Sequence, residues 1–299
     1  MLLDCIVIGG GPAGLNASLM LGRSKRKTIL FDDNKPRNAV TNESHGFITR
    51  DGIHPLEFKQ IAREELSKYP NVIIKKQRVL QVDKDKQVFT IKADDGEVYK
   101  AKKIILATGL KETLPNIAQV NQFYGTSIFS CPFCDGWELR DRPLALIAEN
   151  NRAFHMAKVV FNWSKDLIVC TNGKQILSVE QKNQLNSKGI IIYEQEITSL
   201  QGDHGYLKGI TFAGGESITR EGGFVTPEWE QASSIGRDLD CEFNDQGGIK
   251  VDRFGRTNVE GVYASGDTLL AGATQLIIAA AEGSKAALGV NAALMEEDF

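Results

Sequence analysis

Leu3-Asp4-Cys5-Ile6-Val7-Ile8-Gly9-Gly10-Gly11-Pro12-Ala13-Gly14-Leu15 decides the fold. An apolar run breaks into glycines and resumes as an Ala/Leu-rich helical pattern over 15–21, and a second apolar run, Thr28-Ile29-Leu30-Phe31, ends on Asp32. A strand passing through G-x-G-x-x-G into a helix opens a βαβ unit. Its glycines let backbone approach a pyrophosphate at the helix N-terminus, and an acid at the tip of the second strand binds ribose hydroxyls. Gly9, Gly11 and Gly14, with Pro12 and Ala13 between them, supply the loop, and Asp32 supplies the acid. A tight turn with no ligand is the plain alternative, but the strand before, the helix after and the placement of the acid favour a nucleotide.

Outward from this unit, residues 72–107 read as β-rich, with alternation at Val88-Phe89-Thr90-Ile91 and a turn signal at Asp94-Asp95-Gly96. Ile104-Ile105-Leu106 then stops in Ala107-Thr108-Gly109, small residues that let backbone lie close to a ligand or simply turn. Leu114-Pro115 reads as a linker, and a second βαβ pattern follows: strand 144–147, helix 154–163, strand 167–170. Where its dinucleotide loop belongs stand Ala148-Glu149-Asn150-Asn151-Arg152-Ala153, with no glycine and with a carboxylate placed to repel phosphate. The second strand ends at Thr171-Asn172-Gly173-Lys174, which offers no arginine pair for a 2′-phosphate. The last third reads as strand and turn at 247–252 and 261–267. A small-residue helix over 273–288 follows, with Asp267 just ahead of it and Thr274 and Gln275 at its N-terminus.

Between the two units lies Cys131-Pro132-Phe133-Cys134-Asp135-Gly136. Two cysteines at this spacing close a local disulfide and tune each other's pKa, and an adjacent acid supplies or accepts the proton that exchange requires. The same spacing serves as half a zinc site, but that needs two more Cys or His ligands nearby. Cys5, Cys170 and Cys241 stand alone and the histidines are scattered, so redox chemistry is favoured and no metal is expected. At 299 residues, 42% hydrophobic, the chain is long enough for two domains. A net charge of −3 gives no field that would draw nucleic acid or anionic membrane. The apolar stretch 276–281 is far shorter than the roughly 20 residues a membrane helix needs. No cationic leader precedes the first strand, and five cysteines with one tight pair fit a reducing cytoplasm.

Taken together, Gly9 to Gly14, Ala107-Thr108-Gly109, the run 131–136 and the run 261–267 followed by Gln275 resemble the low-molecular-weight thioredoxin reductase family over nearly the whole chain. The resemblance implies an α/β fold of two Rossmann-like dinucleotide-binding domains in three ββα layers, and a homodimer. A split FAD domain would occupy 1–112 and 240–299, and an inserted smaller NAD(P)H-domain-like region 113–239 would carry the dithiol. It implies an FAD-dependent disulfide oxidoreductase serving a thioredoxin-like protein or a small dithiol or disulfide. The residue matching Cys134 would exchange electrons with flavin, Cys131 would attack the substrate, and Asp135 would handle the proton. FAD phosphates would lie on Gly11 to Gly14, with Gly266 and Asp267 near the ribityl-phosphate chain and Thr274, Gln275 and Leu276 near the isoalloxazine.

The glycine-free second loop departs from the NADPH-using members. It resembles instead the offshoots that lack that site, which are dithiol oxidases using oxygen or ferredoxin-linked reductases. Arg37-Asn38 and Ser44-His45-Gly46-Phe47 resemble the dithiol-oxidase branch, and His45 is either a base near the dithiol or a hydrogen-bonded loop histidine. A flavin-binding redox sensor that switches without turnover is the competing class.

Overall fold

The computed structural model describes residues 1–272 and 274–299, arranged in two compact units. Met1–Ala39, Gly46–Lys111 and Glu230–Phe299 form the first; Val40–His45 and Glu112–Trp229 form the second.

The first unit begins with β1 (Leu2–Ile8), α1 (Pro12–Arg23) and β2 (Thr28–Phe31). β1 lies between β2 and β6, both parallel to it, and its apolar run is buried on both faces because Ile6 and Ile8 pack into one core and Cys5 and Val7 into another. Pro12 at the first helical position presets the backbone for α1. Gly9 (φ +113°) and Gly14 are dictated by packing, since a Cβ at Gly14 would sit 1.8 Å from the Gly9 carbonyl oxygen, and one at Gly9 would sit 2.1 Å from that of Ala107. There follow α2 (Pro55–Leu66), β3 (Val72–Lys75), β4 (Val79–Asp85), β5 (Val88–Ala93), β6 (Val98–Leu106) and β7 (Leu110–Thr113). The parallel order runs β3-β2-β1-β6, while β4, β5 and β6 make an antiparallel meander. Strand β6 serves both. Its first half pairs with β5 and its second half pairs with a strand from the end of the chain.

The second unit contains α3 (Val120–Phe123), β8 (Ile128–Phe129), α4 (Pro132–Asp135), β9 (Leu144–Ile147), α5 (Ala153–Val160), β10 (Leu167–Cys170), α6 (Val179–Asn186) and β11 (Ile191–Tyr193). After these come β12 (Ile197–Asp203), β13 (Tyr206–Phe212), β14 (Ser217–Thr219), β15 (Gly222–Val225) and β16 (Glu228–Gln231), the last of which begins in the second unit and ends in the first. Five strands lie parallel in the order β11-β10-β9-β15-β8, and β12-β13-β14 make an antiparallel sheet. β9 and β10 are wholly buried, which their unbroken apolar runs require. Helix α5 ends at Val160, so Trp163 lies beyond the helix expected there.

The chain returns to the first unit at Glu230, ahead of the boundary expected at 240, because Ile235 and Leu239 of α7 (Ile235–Asp238) and the residue after it join the core with Ile249 and Val79. Residues 247–252 form no strand; the Phe243–Ile249 bridge is isolated. Strand β17 (Val262–Ala264) joins β6 in parallel. The last helix, α8 (Leu276–Asp298), runs past the expected end at 288, and Ala273, where it was expected to start, lies outside the described residues. Both units are thus Rossmann-like, with parallel strands and helices on their flanks. Among the described residues no helix is long and apolar enough to cross a membrane.

Candidate functional site

In the first unit the C-terminal ends of the parallel strands converge, the edge at which open α/β sheets take ligands. Gly9 N donates to the Phe31 carbonyl (2.8 Å), Ala107 N to that of Ile8 (2.8 Å), and Ser265 N to that of Leu106 (3.0 Å), which stitches β1, β2, β6 and β17 together at their tips. Gly11 N-caps α1 with no side-chain cap, and a Cβ placed on it would meet nothing within 4 Å. Of the loop glycines it is therefore Gly11 that faces open space, while Gly9 and Gly14 serve packing. Thr108 and Gly109 follow Ala107, and Gly109 N donates to Thr268 Oγ1 (2.8 Å). Gly266 (φ +73°) would press a Cβ to 2.7 Å from Ala13, so α1 and the 266–269 turn meet closely. Ser265 Oγ is buried there without a partner. Thr274 precedes α8, Gln275 is its N-cap and Leu276 its first residue.

Two acids at this edge carry cations that sequence reasoning missed. Asp267 accepts from Arg37 (2.9 Å). Asp32, 3% exposed, is held by Lys59 (3.0 Å) and Arg63 (2.7 Å) of α2, and accepts from Asn34 N (2.9 Å). The i, i+4 spacing of Lys59 and Arg63 on one helix was the available signal. A carboxylate has about four lone-pair sites, so Asp32 keeps capacity for a ribose hydroxyl beside these donors.

In the second unit Cys131 and Cys134 are joined in a disulfide with Cα atoms 5.3 Å apart. Cys131 caps the single turn α4, and the amides of Cys134 and Asp135 both donate to its carbonyl (3.1 Å each). Gly136 must lack a side chain, because a Cβ would press 2.4 Å from the Pro132 carbonyl and 2.7 Å from the Trp163 ring. Trp163 also meets Phe133 edge-to-face at 5.4 Å. Phe133 and Trp137 stay exposed, and Arg140 lies over the Trp137 ring at 4.0 Å. Just before the dithiol, Tyr124 donates to Glu112 (2.6 Å), which also accepts from Ser130 (3.3 Å).

Asp135 is buried, and burial pushes its carboxyl up to about 7, with a positive charge at His45 pulling down and the Glu138 carboxylate adding to the rise. The structure brings His45 into this unit, its Nε2 3.4 Å from Glu43 and 3.7 Å from Glu138. The other thiols are different in kind: burial raises those of Cys5, Cys170 and Cys241, that of Cys170 to about 12, so they stay protonated and inert.

The corresponding strand ends of the second unit are occupied by their own side chains. Asn150 Nδ2 donates to the Thr226 carbonyl (3.1 Å) and Glu228 (2.8 Å), and its Oδ1 and backbone oxygen accept from the amides of Arg152 and Ala153 (3.2 Å each). Arg152 donates to the Pro227 carbonyl, and Asn172 to Glu149. Two amides at the start of α5 that would meet a phosphate, those of Arg152 and Ala153, are already used.

The family model for pyridine nucleotide-disulphide oxidoreductases matches residues 3–284. The chain belongs to that family. It is similar to a provisionally named thioredoxin reductase from Bacillus anthracis whose crystal structure is known: 46% identical, TM-score 0.95, covering 99% of this chain and 100% of the other. A provisionally named thioredoxin reductase of Arthroderma benhamiae is 30% identical over 98% of this chain and 81% of its own length. The thioredoxin reductase of Helicobacter pylori is 26% identical over 97% and 98%. The protein is a thioredoxin reductase-like, FAD-dependent oxidoreductase. The open backbone at Gly11 and the orphaned Ser265 hydroxyl fit FAD in the first unit.

Proposed function

We propose that the protein is a thiol–disulfide oxidoreductase in which Cys131 and Cys134 carry electrons between FAD and a dithiol or disulfide on a thioredoxin-like protein or small molecule, without NAD(P)H as working donor. The observation that carries this is the Cys131–Cys134 disulfide directly followed by a buried acid whose carboxyl is held near 7, where it both takes and gives a proton at neutral pH. FAD, when bound, supplies a two-electron partner for the dithiol. The residues that would hold it are Gly9, Gly11, Pro12, Ala13 and Gly14 for the pyrophosphate, and Asp32 for the ribose. Ala107, Thr108, Gly109, Gly266 and Asp267 would line the ribityl chain, with Thr274, Gln275 and Leu276 toward the ring.

In the oxidising direction, a substrate thiol gives its proton to Asp135 and its sulfur attacks Cys131 Sγ. The Cys131–Cys134 bond breaks and its electron pair leaves on Cys134. A second substrate thiol attacks the mixed disulfide and frees the substrate disulfide, and its proton and the one held by Asp135 pass to the two cysteine sulfurs, which end as thiols. The reducing direction reverses each step. The side-chain-filled loop 148–153 supports a donor other than NAD(P)H, either the substrate dithiol with oxygen as final acceptor or reduced ferredoxin. The reading extends to a cytoplasmic homodimer that binds neither nucleic acid nor membrane, in keeping with the charge of −3.

Anaerobic titration of the FAD-loaded protein with dithiothreitol, reduced ferredoxin, NADH and NADPH in parallel tests it. Dithiol should bleach the flavin of the native chain and leave that of Cys131→Ser and Cys134→Ser oxidised, with their yellow colour retained. Bleaching of both variants by dithiol removes the cysteines from the path. Stoichiometric bleaching by NADPH overturns the donor assignment, and a single reaction without turnover in air identifies a sensor instead.

A further inference from the structure

At the tip of β2 Asp32 is 3% exposed, and a carboxylate so deeply buried needs partners for its charge. Two cations of one helix supply them. Lys59 Nζ straddles the carboxylate, 3.0 Å from each oxygen, and Arg63 reaches Oδ2 at 2.7 Å from one turn further along α2. We propose that Lys59 and Arg63 are positioning residues of the FAD site: they hold Asp32 charged and in place, so that it grips the adenosine ribose of FAD in register with the glycine loop. This rests on the reading of Asp32 as the ribose acid and adds to it the two residues that make the acid able to act.

Backbone closes the cluster on its other sides. A Cβ at Gly10 would lie 2.1 Å from Asp32 Cγ, so the glycine loop rests directly on the carboxylate and the two cannot shift independently. Asn34, in the left-handed conformation that asparagine tolerates (φ +60°), donates from its amide to Asp32 Oδ1 (2.9 Å), and its own Oδ1 accepts from Arg63 (2.9 Å). One nitrogen of Arg63 thus ties both the acid and the chain beyond it to α2. Asn34, Lys59 and Arg63 are three donors on about four lone-pair sites, which leaves one for a ribose hydroxyl. A hydroxyl bonds a charged carboxylate more strongly than a neutral acceptor, so the cations that preserve the charge also strengthen the grip. Without them the acid would lose its charge compensation and its fixed place under the loop. Neither Lys59 nor Arg63 has to touch the nucleotide to have this effect.

Competition between two cofactors on the loaded protein tests this. Each chain starts from bound FAD or from a bound FAD analogue that lacks both hydroxyls of the adenosine ribose. It is then equilibrated with an equal mixture of the two until both starts reach the same bound ratio, read by mass spectrometry of the released flavin. The native chain should prefer FAD by about ten- to a hundredfold, the range of a hydrogen bond to a charged group. Arg63→Gln and Lys59→Met should each cut that preference by about threefold or more, and Arg63→Lys, which keeps the charge, should keep most of it. A merely structural role lowers stability or total bound flavin but leaves the ratio unchanged, since both cofactors are read on the same protein. A native preference that persists in both Arg63→Gln and Lys59→Met overturns the proposal while leaving Asp32 on the ribose. A native ratio near one removes Asp32 from the ribose altogether, and the positioning role with it. Circular dichroism establishes that each variant is folded, and Arg63→Gln, at a partly exposed position, carries the test where Lys59→Met does not fold.

Discussion

Replacing Asp135 by asparagine should stabilise the oxidised protein, and increasingly so as pH rises. The carboxyl is buried, and burial lifts it from about 3.9 in the unfolded chain to about 7 in the folded one. A group raised in this way lends its full stability below the unfolded value and loses it as pH climbs through the folded value, because the unfolded chain then gains more from ionising. The gap is roughly three pH units at ~1.4 kcal/mol each, so ionisation of Asp135 costs the folded state ~4 kcal/mol by pH 8. Asparagine has nearly the same shape and does not titrate. Relative to pH 4, the Asp135→Asn chain should therefore gain about 4 kcal/mol on the native chain by pH 8, with most of the change between pH 4 and 7 and a plateau above. Urea unfolding of both chains at a series of pH values reads this as a growing difference in midpoint at unchanged slope. A difference that stays flat within about 1 kcal/mol from pH 4 to 8 refutes the idea that the fold holds this acid against its own ionisation.

Two further substitutions test the first unit. Gly11→Val should leave the fold intact, since its backbone is extended (φ −79°, ψ −177°) and open space surrounds the site, yet it should strip most of the FAD. Gly14→Ala should cost about 3 kcal/mol or more, because a Cβ 1.8 Å from the Gly9 carbonyl oxygen meets backbone that cannot turn aside. Flavin absorbance per chain and thermal unfolding separate the two effects, and a fully yellow Gly11→Val protein removes that residue from the cofactor site. Lys59→Met should destabilise by about 3 kcal/mol, since it takes one of two cations, Lys59 and Arg63, away from the buried Asp32. A loss under about 1 kcal/mol in urea would mean that Arg63 alone neutralises the acid.

How much of this was legible in sequence depended on range. The first βαβ unit could be read because a buried parallel strand is an unbroken apolar run and the loop after it needs glycines at fixed places. The end of α8 was misread because Gly289 looks like a stop, whereas in the structure it makes room: a Cβ would sit 2.6 Å from the Phe254 carbonyl, and Tyr263 donates to its carbonyl oxygen at 3.2 Å. The return at Glu230 was hidden because it falls inside a short alternating strand, β16, and the nearest breaker, Pro227, stands ahead of that strand and not at the crossing. Asp32 was visible as an acid at a strand tip, but Lys59 and Arg63 reach it from a helix that follows in the chain, and their i, i+4 spacing puts them on one face without saying which acid they meet. His45 posed the same problem. Its two possible roles differ only in what it meets, and Glu138 comes from the far side of the dithiol in sequence.

The two units set the same architecture to opposite ends, and the difference lies in who uses the first helical amides after the leading strand. In the first unit Gly11 brings bare backbone to the start of α1 with no side chain capping it, which leaves those donors for an anion. In the second, Asn150 accepts from the amides of Arg152 and Ala153, while its own amide and the Arg152 guanidinium bond the carbonyls of Thr226 and Pro227. A pyrophosphate entering there would have to break these bonds at about 1 kcal/mol each and displace a partly buried guanidinium. That comes to roughly 3 to 5 kcal/mol, or two to three and a half orders of magnitude in affinity. The glutamate at 149 adds repulsion of the same sign. Strand ends closed in this manner keep their sheet while weakening the hold on a dinucleotide, which is why the proposal that electrons arrive through Cys131 and Cys134 draws on the second unit as much as on the dithiol itself.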